Sequence, residues 1–326
     1  KDPHIVDITF PYTKDFKKEL HIPKDALYKG KPRSRIAYLC ASKRMDWEPV
    51  AWTEFDGKNI VFTDIQKGPV MRVATYERGR LRFWTDPFEI NVSNEFHFFT
   101  PSDSVQDVTL FAKYTLRADD MFLNRMIGGT FEGSNDPDFR EKEVLYLINE
   151  KPKRLQTVVQ SYSSKPYRYV RYIGPKDSHC NIAEAAFYTP NDTASLKGKV
   201  IGTSGCFQKD CSHEYTNVFD GDVTTSFDYV EPSGGWSGLD LGIPKQIGRI
   251  IYTPRNYDNY VCHGDDYELF YCAKRGKWRS LGWQFAEKDS LVYKEVPNNV
   301  LLLLKNYSKG VQERIFTYDV GKQLWK

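Results

Sequence analysis

The sequence predicts an all-β protein with more than one domain. The chain has 326 residues, of which 40% are hydrophobic and 15% aromatic, and domains usually hold about 100–200 residues. Short runs rich in β-branched and aromatic residues follow one another, separated by turn signals such as the Asp-Gly pair at residues 56–57. No long segment has sustained helical periodicity, and residues 118–126 form at most a short helix.

The first domain is predicted at residues 24–117, as a β-sandwich of the immunoglobulin or fibronectin type. A spacing of roughly ten residues between turns is typical of an antiparallel sandwich. The polar, weakly patterned residues 1–23 are interpreted as a linker leading into it. The strands of this domain are expected within residues 34–42, 59–65, 70–84 and 107–116.

The rest of the chain contains a loose internal repeat, at residues 131–188 and 266–320. Each copy has a strand, a polar hairpin ending in an aromatic residue, a short strand, and a strongly apolar strand. A final strand then carries Glu three positions before its first aromatic residue. Such repetition indicates related modules. The polar junction at residues 189–199 puts the predicted boundary near Asn191.

Three motifs between the predicted boundary and the second copy stand in a characteristic order. They are VFDGDVTTSF at residues 218–227, GGWSGLDLG at 234–242 and IGRIIYTPR at 247–255, followed by DYELFY, Trp278 and ERIFTY. This order resembles the discoidin or coagulation-factor 5/8 type C family, a galactose-binding-like jelly roll used by many carbohydrate-binding modules. The resemblance implies such a jelly roll at residues 191–326.

Residues 118–190 resemble the second half of the same fold. GSNDPDF is similar to the family's hairpin, YRYVRYIG to one of its strands and NIAEAAFY to its closing strand. The first-half signature is not visible there, so this module is predicted to be atypical or truncated. The whole arrangement resembles C-terminal, non-catalytic regions of secreted or envelope proteins of gut bacteria. That resemblance implies an extracellular, cell-surface or periplasmic location in the bacterial envelope, and a longer chain.

The DGD motif has two interpretations. Asp220 and Asp222 offer carboxylate ligands for a hard cation such as calcium, Thr224 or Thr225 offers a hydroxyl, with Thr225 taken as the candidate, and Gly221 permits a sharp bend. The resemblance adds a carboxylate from the closing strand, which on this alignment is Glu313. In the other interpretation the motif is a turn whose aspartates accept backbone N–H groups. Both interpretations give the motif a structural role.

A sugar site needs an aromatic face for ring C–H groups and planar polar partners for hydroxyls. Residues 253–266 are the richest candidate, and residues 229–236 are the second. In the first candidate, Tyr257 and Tyr260 are expected to be exposed, the alternative being that they pack on the rim of the barrel. Trp236 is expected in the core. The predicted ligand-binding residues are Arg255, Asn256, Tyr257, Asp258, Tyr260 and His263.

Charge and motif content argue against several other functions. Basic and acidic residues number 46 and 43, so nucleic acid is not an expected partner. No apolar run approaches the length of a membrane span, and membrane insertion is not expected. Cys40 lies inside a strand pattern, and the six histidines carry no catalytic signature.

The predicted function is therefore non-catalytic glycan binding, with calcium as a structural ion. The alternative is a protein-interaction or architectural region of a larger enzyme, such as a transglutaminase-like or protease-like protein. Separately, the short spacing of Cys206 and Cys211 would allow a disulfide that closes a small loop.

Overall fold

The computed structural model confirms an all-β architecture built from antiparallel sheets. It describes residues 16–30, 34–42, 44–55, 59–91, 93–114, 117–207, 211–309 and 313–326.

The strands are numbered β1 to β24 in chain order. The first nine are Phe16–His21, Ile36–Ser42, Glu48–Glu54, Val61–Gln66, Val70–Glu77, Arg80–Phe83, Phe88–Ile90, Phe96–Phe98 and Val105–Leu110. After the helix α1, Arg117–Asn124, strands β10 to β18 are Thr130–Ser134, Lys142–Leu147, Thr157–Gln160, Pro166–Ile173, Cys180–Tyr188, Lys199–Gly202, Phe227–Asp228, Trp236–Gln246 and Arg249–Pro254. The last six are Asp266–Ala273, Lys277–Phe285, Leu291–Pro297, Leu302–Asn306, Ile315–Asp319 and Lys322–Trp325. Short 3-10 helices lie at Lys24–Ala26, Tyr215–Phe219 and Lys274–Gly276.

The chain forms two compact units, and the first is discontinuous in sequence. It comprises residues 1–109, 266–285 and 292–326, while the second comprises 110–265 and 286–291. The predicted sandwich at 24–117 is therefore not self-contained. Its strands share one unit with strands from the last quarter of the chain.

Strand β5 explains why the first unit needs both segments, because it is buried on both faces. One sheet has the order β3-β2-β5-β7-β8, and the other has the order β20-β19-β22-β23-β24. On one face of β5, Val73 packs in a core cluster with Leu39 and Phe88. On the other, Val70 packs in a cluster with Cys272 and Leu303, which belong to the second sheet.

The predicted linker at residues 1–23 contains a strand. Strand β1 pairs with β4, with Leu20 opposite Phe62, and Leu20 is fully buried. The lysines of this strand interrupt the alternation of apolar and polar residues that identifies a strand, so the sequence pattern did not predict it. Residues 1–15 lie outside the described residues.

A buried arginine lies at the centre of the first unit. Arg72, on β5, is 1% exposed, and its guanidinium lies 4.0 Å from the centroid of the Phe83 ring. Its Nε donates a hydrogen bond to the carbonyl oxygen of Thr85 (3.1 Å), and its Nη2 donates one to the carbonyl oxygen of Arg275 (2.9 Å). Because Arg275 belongs to the C-terminal segment, this side chain joins the two parts of the unit.

The second unit has two sheets with one core between them. Their orders are β11-β10-β13-β17-β15 and β12-β18-β14-β16. Phe131 from the first sheet contacts Phe187 and Tyr252 from the second, with ring centroids 6.0 and 5.4 Å apart. Both sheets supply the buried side chains of the core.

The predicted boundary near Asn191 is wrong, because it would divide this unit. Strand β13 pairs with β17, and β14 pairs with β18, so residues before and after 191 share both sheets. Residues 118–190 are thus one part of a complete two-sheet unit rather than a truncated module. The second copy of the apparent repeat, residues 266–320, belongs mostly to the first unit.

Two further predictions concern single features. Cys40 is a fully buried strand residue, as predicted, and burial raises the pKa of its thiol to about 12. Within the described residues, the structure contains no helix with the length and hydrophobicity needed to cross a membrane.

Candidate functional site

The DGD motif forms a hydrogen-bonded turn, named here the acidic turn (residues 220–225). Oδ1 of Asp220 accepts the backbone N–H of Asp222 at 2.7 Å, and Oδ1 of Asp222 accepts that of Thr224 at 2.9 Å. The hydroxyl of Thr225 donates to Oδ2 of Asp220 at 2.8 Å. Gly221 has φ +85°, which only glycine adopts easily. Both aspartates therefore accept backbone N–H groups, as the turn interpretation predicts.

The carboxylate that the fold brings to this turn is Glu184, on β14. Its Oε1 accepts the backbone N–H of Gly221 at 2.8 Å. Burial, followed by a hydrogen bond with Asp220 and the negative charges of Asp220 and Asp222, raises the pKa of Glu184 to about 8. Three carboxyl groups thus gather at the turn.

The predicted partner, Glu313, is not in this unit. It belongs to the first unit, where its carboxylate lies 4.0 Å from Nζ of Lys305. The prediction used the wrong copy of the closing-strand pattern. Glu184 stands in NIAEAAFY, three residues before Phe187, and so fits the same pattern of Glu three positions before an aromatic residue. Knowledge of the strand pairing would have been needed to choose this copy.

Glu184 gives a testable pH dependence in cation-free buffer. Its ordinary pKa of 4.5 applies to the unfolded chain, whereas its folded pKa is about 8. Between these values the folded state holds a proton that the unfolded state releases, so stability must fall as pH rises from about 5 to about 8. The unfolding equilibrium constant should rise by at most about tenfold per pH unit, since one proton is involved.

Urea unfolding at several pH values, with a chelator present, measures this slope. Glu184→Gln should flatten it, because the amide does not titrate. Glu231→Gln, at an exposed position of the same unit, is the matched control and should leave the slope unchanged. Equal slopes for wild type and Glu184→Gln would contradict the assignment.

The predicted sugar loop is largely engaged with its own protein. The Arg255 guanidinium forms a buried ion pair with Asp228 and lies 4.4 Å from the centroid of the Phe122 ring. Nδ2 of Asn256 donates to the carbonyl oxygen of Val223 at 2.9 Å. These polar groups therefore hold the fold rather than face solvent.

The remaining predicted residues divide into buried and exposed. Asp258 lies 3.0 Å from Nζ of Lys113, a lysine that is itself buried. Tyr260 is only 8% exposed and packs with Leu123, so the expectation that it is exposed is wrong. Tyr257 is 47% exposed, as expected, and His263 is exposed too.

Trp236 is not a core residue, contrary to expectation. It is half-buried on β17, with its ring 5.6 Å from that of Phe139 and 5.1 Å from the Arg171 guanidinium. It therefore packs in an aromatic-arginine group apart from the main core cluster, which its apolar neighbours in the sequence did not reveal.

A cleft of about 640 Å³ lies between α1 and the loop that joins β13 to β14. We name it the α1 cleft. One wall consists of Met121, Asn124, Arg125 and Ile127, and the other consists of residues 175–178. The lining combines exposed aliphatic groups with amide, guanidinium, ammonium and carboxylate groups. Sequence patterns did not indicate this cleft, because its two walls are about fifty residues apart.

The backbone of the 174–181 loop is strained. Asp177, His179, Cys180 and Asn181 all have φ between +53° and +76°, a region that costs about 1–3 kcal/mol for residues other than glycine. Such strain concentrates at ligand sites and switch regions, where the surrounding structure maintains it.

The predicted sugar residue Arg255 contributes to maintaining this loop. Its partner Asp228 accepts a hydrogen bond from Nδ2 of Asn181 at 3.1 Å. The loop is also fixed by neighbours, since the backbone N–H of Ser178 donates to the carbonyl oxygen of Pro232 at 2.8 Å. Arg255 thus acts on the cleft through the loop that forms its wall.

Phe122 connects the α1 cleft with the exposed tyrosine. Its ring lies 5.9 Å from the guanidinium of Arg125, which lines the cleft. The ring of Tyr257 contacts the same phenylalanine edge to face, with centroids 5.7 Å apart. The exposed ring of Tyr257 is therefore linked through Phe122 to a residue that lines the cleft.

Comparisons of the chain with protein-family models, with curated proteins and with solved structures found no match.

Proposed function

We propose that the second unit binds glycans reversibly and without catalysis, with the α1 cleft as the ligand site. The observation that carries this proposal is the cleft itself, whose volume of about 640 Å³ suits a small ligand. Asn124, Arg125 and Asp177 offer planar polar groups for sugar hydroxyls. Met121 and the neighbouring Tyr257 offer surfaces for the C–H face of a ring.

The order of discoidin-like motifs in this unit supports the same proposal. DGD, LDLG and the YVRY and NIAE strands all lie in the second unit. Reversible binding also fits the cysteines, because burial raises the pKa of Cys40, Cys180 and Cys272 to about 12. Protonated thiols are poor nucleophiles. The resemblance further supports an extracellular or cell-surface location.

Calcium is proposed as a structural ion at the acidic turn. Asp220, Asp222 and Thr225, together with Glu184 in place of Glu313, offer the oxygen donors that a hard cation prefers. Burial is the main cause of the raised pKa of Glu184, and the negative charges of Asp220 and Asp222 add to it; a cation at the turn would relieve that second contribution. A bound ion would tie the acidic turn to β14.

Calcium should change the stability of the wild type relative to that of Glu184→Gln. At about pH 8, saturating calcium is expected to stabilise the wild type more than the variant, by mass action on the folded state. Thermal unfolding with and without the ion measures this difference. Equal shifts in both proteins would argue against Glu184 as a ligand, and no shift in either would argue against the ion.

A glycan array probed with the full chain tests the main proposal, followed by calorimetry with the glycans that bind. Arg125→Ala and Tyr257→Ala should each weaken binding about tenfold or more, a loss of about 1.4 kcal/mol. Lys153→Ala is the control, because this exposed lysine pairs with the nearby Glu150 and does not line the cleft. Absence of glycan binding, or equal affinity in all variants, would contradict the proposal.

A protein-interaction role is the second candidate, favoured by the exposed edge of the first unit. Trp52 is 65% exposed on the edge strand β3, and Trp283 and Phe285 are exposed on the edge strand β20. Edge strands with free backbone groups and apolar side chains pair readily with other chains. Binding of a protein partner that is lost in Trp52→Ser and unaffected by Arg125→Ala would support this role.

A further inference from the structure

Two cysteines and a glutamate meet in the second unit, apart from the α1 cleft and the acidic turn. The thiol sulphurs of Cys206 and Cys211 and a carboxylate oxygen of Glu214 all lie within 4.8 Å of one another. Neither cysteine forms a disulfide in the structure; Cys206 is buried and Cys211 exposed, while Glu214 is half-buried. Residues 208–210, between the cysteines, lie outside the described residues.

We propose that these three side chains bind a thiophilic divalent cation of the Zn²⁺ class. Two thiolates and a carboxylate form a donor set that suits zinc, with Zn–S distances of about 2.3 Å and Zn–O distances of about 2.0–2.2 Å. Ligand atoms bound at such distances around one tetrahedral ion lie roughly 3.5–4 Å apart. The observed spread of 4.8 Å or less therefore requires only small side-chain movements.

The exposure of Cys211 leaves room for a fourth ligand from solvent. A site with three protein ligands and one open position differs from a closed structural site, in which four protein ligands surround the ion. Cadmium and cobalt also bind thiolate ligands, as zinc does, and they serve as spectroscopic probes of such a site.

The backbone on both sides of the cluster is already held in place. Next to Cys206, the backbone N–H of Phe207 donates to the carbonyl oxygen of Asp228 at 2.8 Å. On the other side, the carbonyl oxygen of Glu214 accepts the N–H of Asn217 at 3.1 Å, and Nδ2 of Asn217 donates to the carbonyl oxygen of Ser212 at 2.9 Å. Ligands fixed in this way lose little conformational freedom when an ion binds.

The position of Glu214 distinguishes a cation site from the disulfide that the sequence suggested. A disulfide uses the two sulphur atoms alone and gives the nearby carboxylate no role. A divalent cation uses all three groups and balances the negative charge that they carry when deprotonated. The structure therefore favours the ion.

The ion would fix a segment that faces the 174–181 loop. Phe207, next to the ligand Cys206, is 61% exposed, and its ring lies 5.4 Å from that of His179. Glu214 immediately precedes the 3-10 helix Tyr215–Phe219, which leads into the acidic turn. The cluster thus joins the segment that ends at Phe207 to the segment that begins at Cys211.

Cobalt and cadmium titrations of the full chain test the proposal. The protein is first reduced with a phosphine and stripped of metal, then titrated while thiolate-to-metal charge-transfer absorption is recorded. The expected result is saturation at one ion per chain, with zinc displacing cobalt. Cys211→Ser should abolish most of this absorption, and Glu214→Gln should weaken binding about tenfold, whereas Glu231→Gln should bind as the wild type.

Several outcomes would overturn the proposal. One is the absence of charge-transfer absorption at one equivalent of either probe. Another is absorption in Cys211→Ser equal to that of the wild type. A Cys206–Cys211 disulfide in the purified protein, with no metal uptake after its reduction, would do the same. Circular dichroism of the metal-free variants checks that they fold, which the exposed position of Cys211 leads us to expect.

Discussion

Replacing Arg72 with alanine is expected to lower the unfolding free energy of the first unit by about 3–5 kcal/mol. The change would remove a buried cation from the Phe83 ring and leave a cavity at the centre of the unit. It would also deprive the carbonyl oxygens of Thr85 and Arg275 of their donors. A buried polar group that loses its partner costs about 1–3 kcal/mol.

Tryptophan fluorescence during urea unfolding measures this effect, because six of the seven tryptophans belong to the first unit. Two transitions are expected from two units, and only one should move. Arg82→Ala is the matched control. Its side chain is 55% exposed, although it also lies over an aromatic ring, Trp84, and pairs with Glu77. The control should lower the unfolding free energy by less than about 1 kcal/mol. Equal losses in the two variants would contradict the importance of the burial of Arg72.

Replacing Gly238 with alanine should destabilise the second unit by at least about 3 kcal/mol, at the upper end of overpacking effects. A Cβ atom there would lie 2.2 Å from the carbonyl oxygen of Val170 and 2.7 Å from the Cβ of Arg171. Both atoms belong to β13. Strand β17 cannot move away freely, because it is paired on its other side with β15.

Gly242→Ala, on the same strand, separates crowding from conformational strain. No atom lies within 4 Å of its ideal Cβ position, and the strain comes only from φ +76°. This control should cost about 1 kcal/mol. Circular dichroism during unfolding compares the two variants. Similar losses of unfolding free energy in both variants would show that the close approach of β13 and β17 does not restrict the size of the side chain at position 238.

The all-β class was predictable because it depends on local patterns. The alternation of apolar residues that identifies a strand can be read within a few positions. YRYVRYIG and NIAEAAFY were accordingly recognised as strands, and they form β13 and β14. The choice of partner strand depends instead on contacts between distant residues. Local patterns therefore located strands, whereas the motif order misplaced the limits of the units.

The same distinction separates the site predictions that held from those that failed. Tyr257 and Tyr260 lie in one loop without alternation, and nothing local distinguishes them. Leu123, far away in sequence, covers Tyr260, while Tyr257 keeps an exposed ring at the edge of Phe122. The ligand-like appearance of Arg255 likewise gave no sign of its buried partner Asp228.

The discontinuous first unit imposes an order on biosynthesis. Strands β1 to β9 leave the ribosome first, yet Val70 and Phe99 pack against Leu301, Leu303 and Ile315 near the end of the chain. Domains generally fold as complete units while the chain is being made. The nascent chain therefore finishes the second unit while the earlier sheet still awaits its partner. Premature termination after residue 291 would release a folded second unit attached to an incomplete, aggregation-prone first unit.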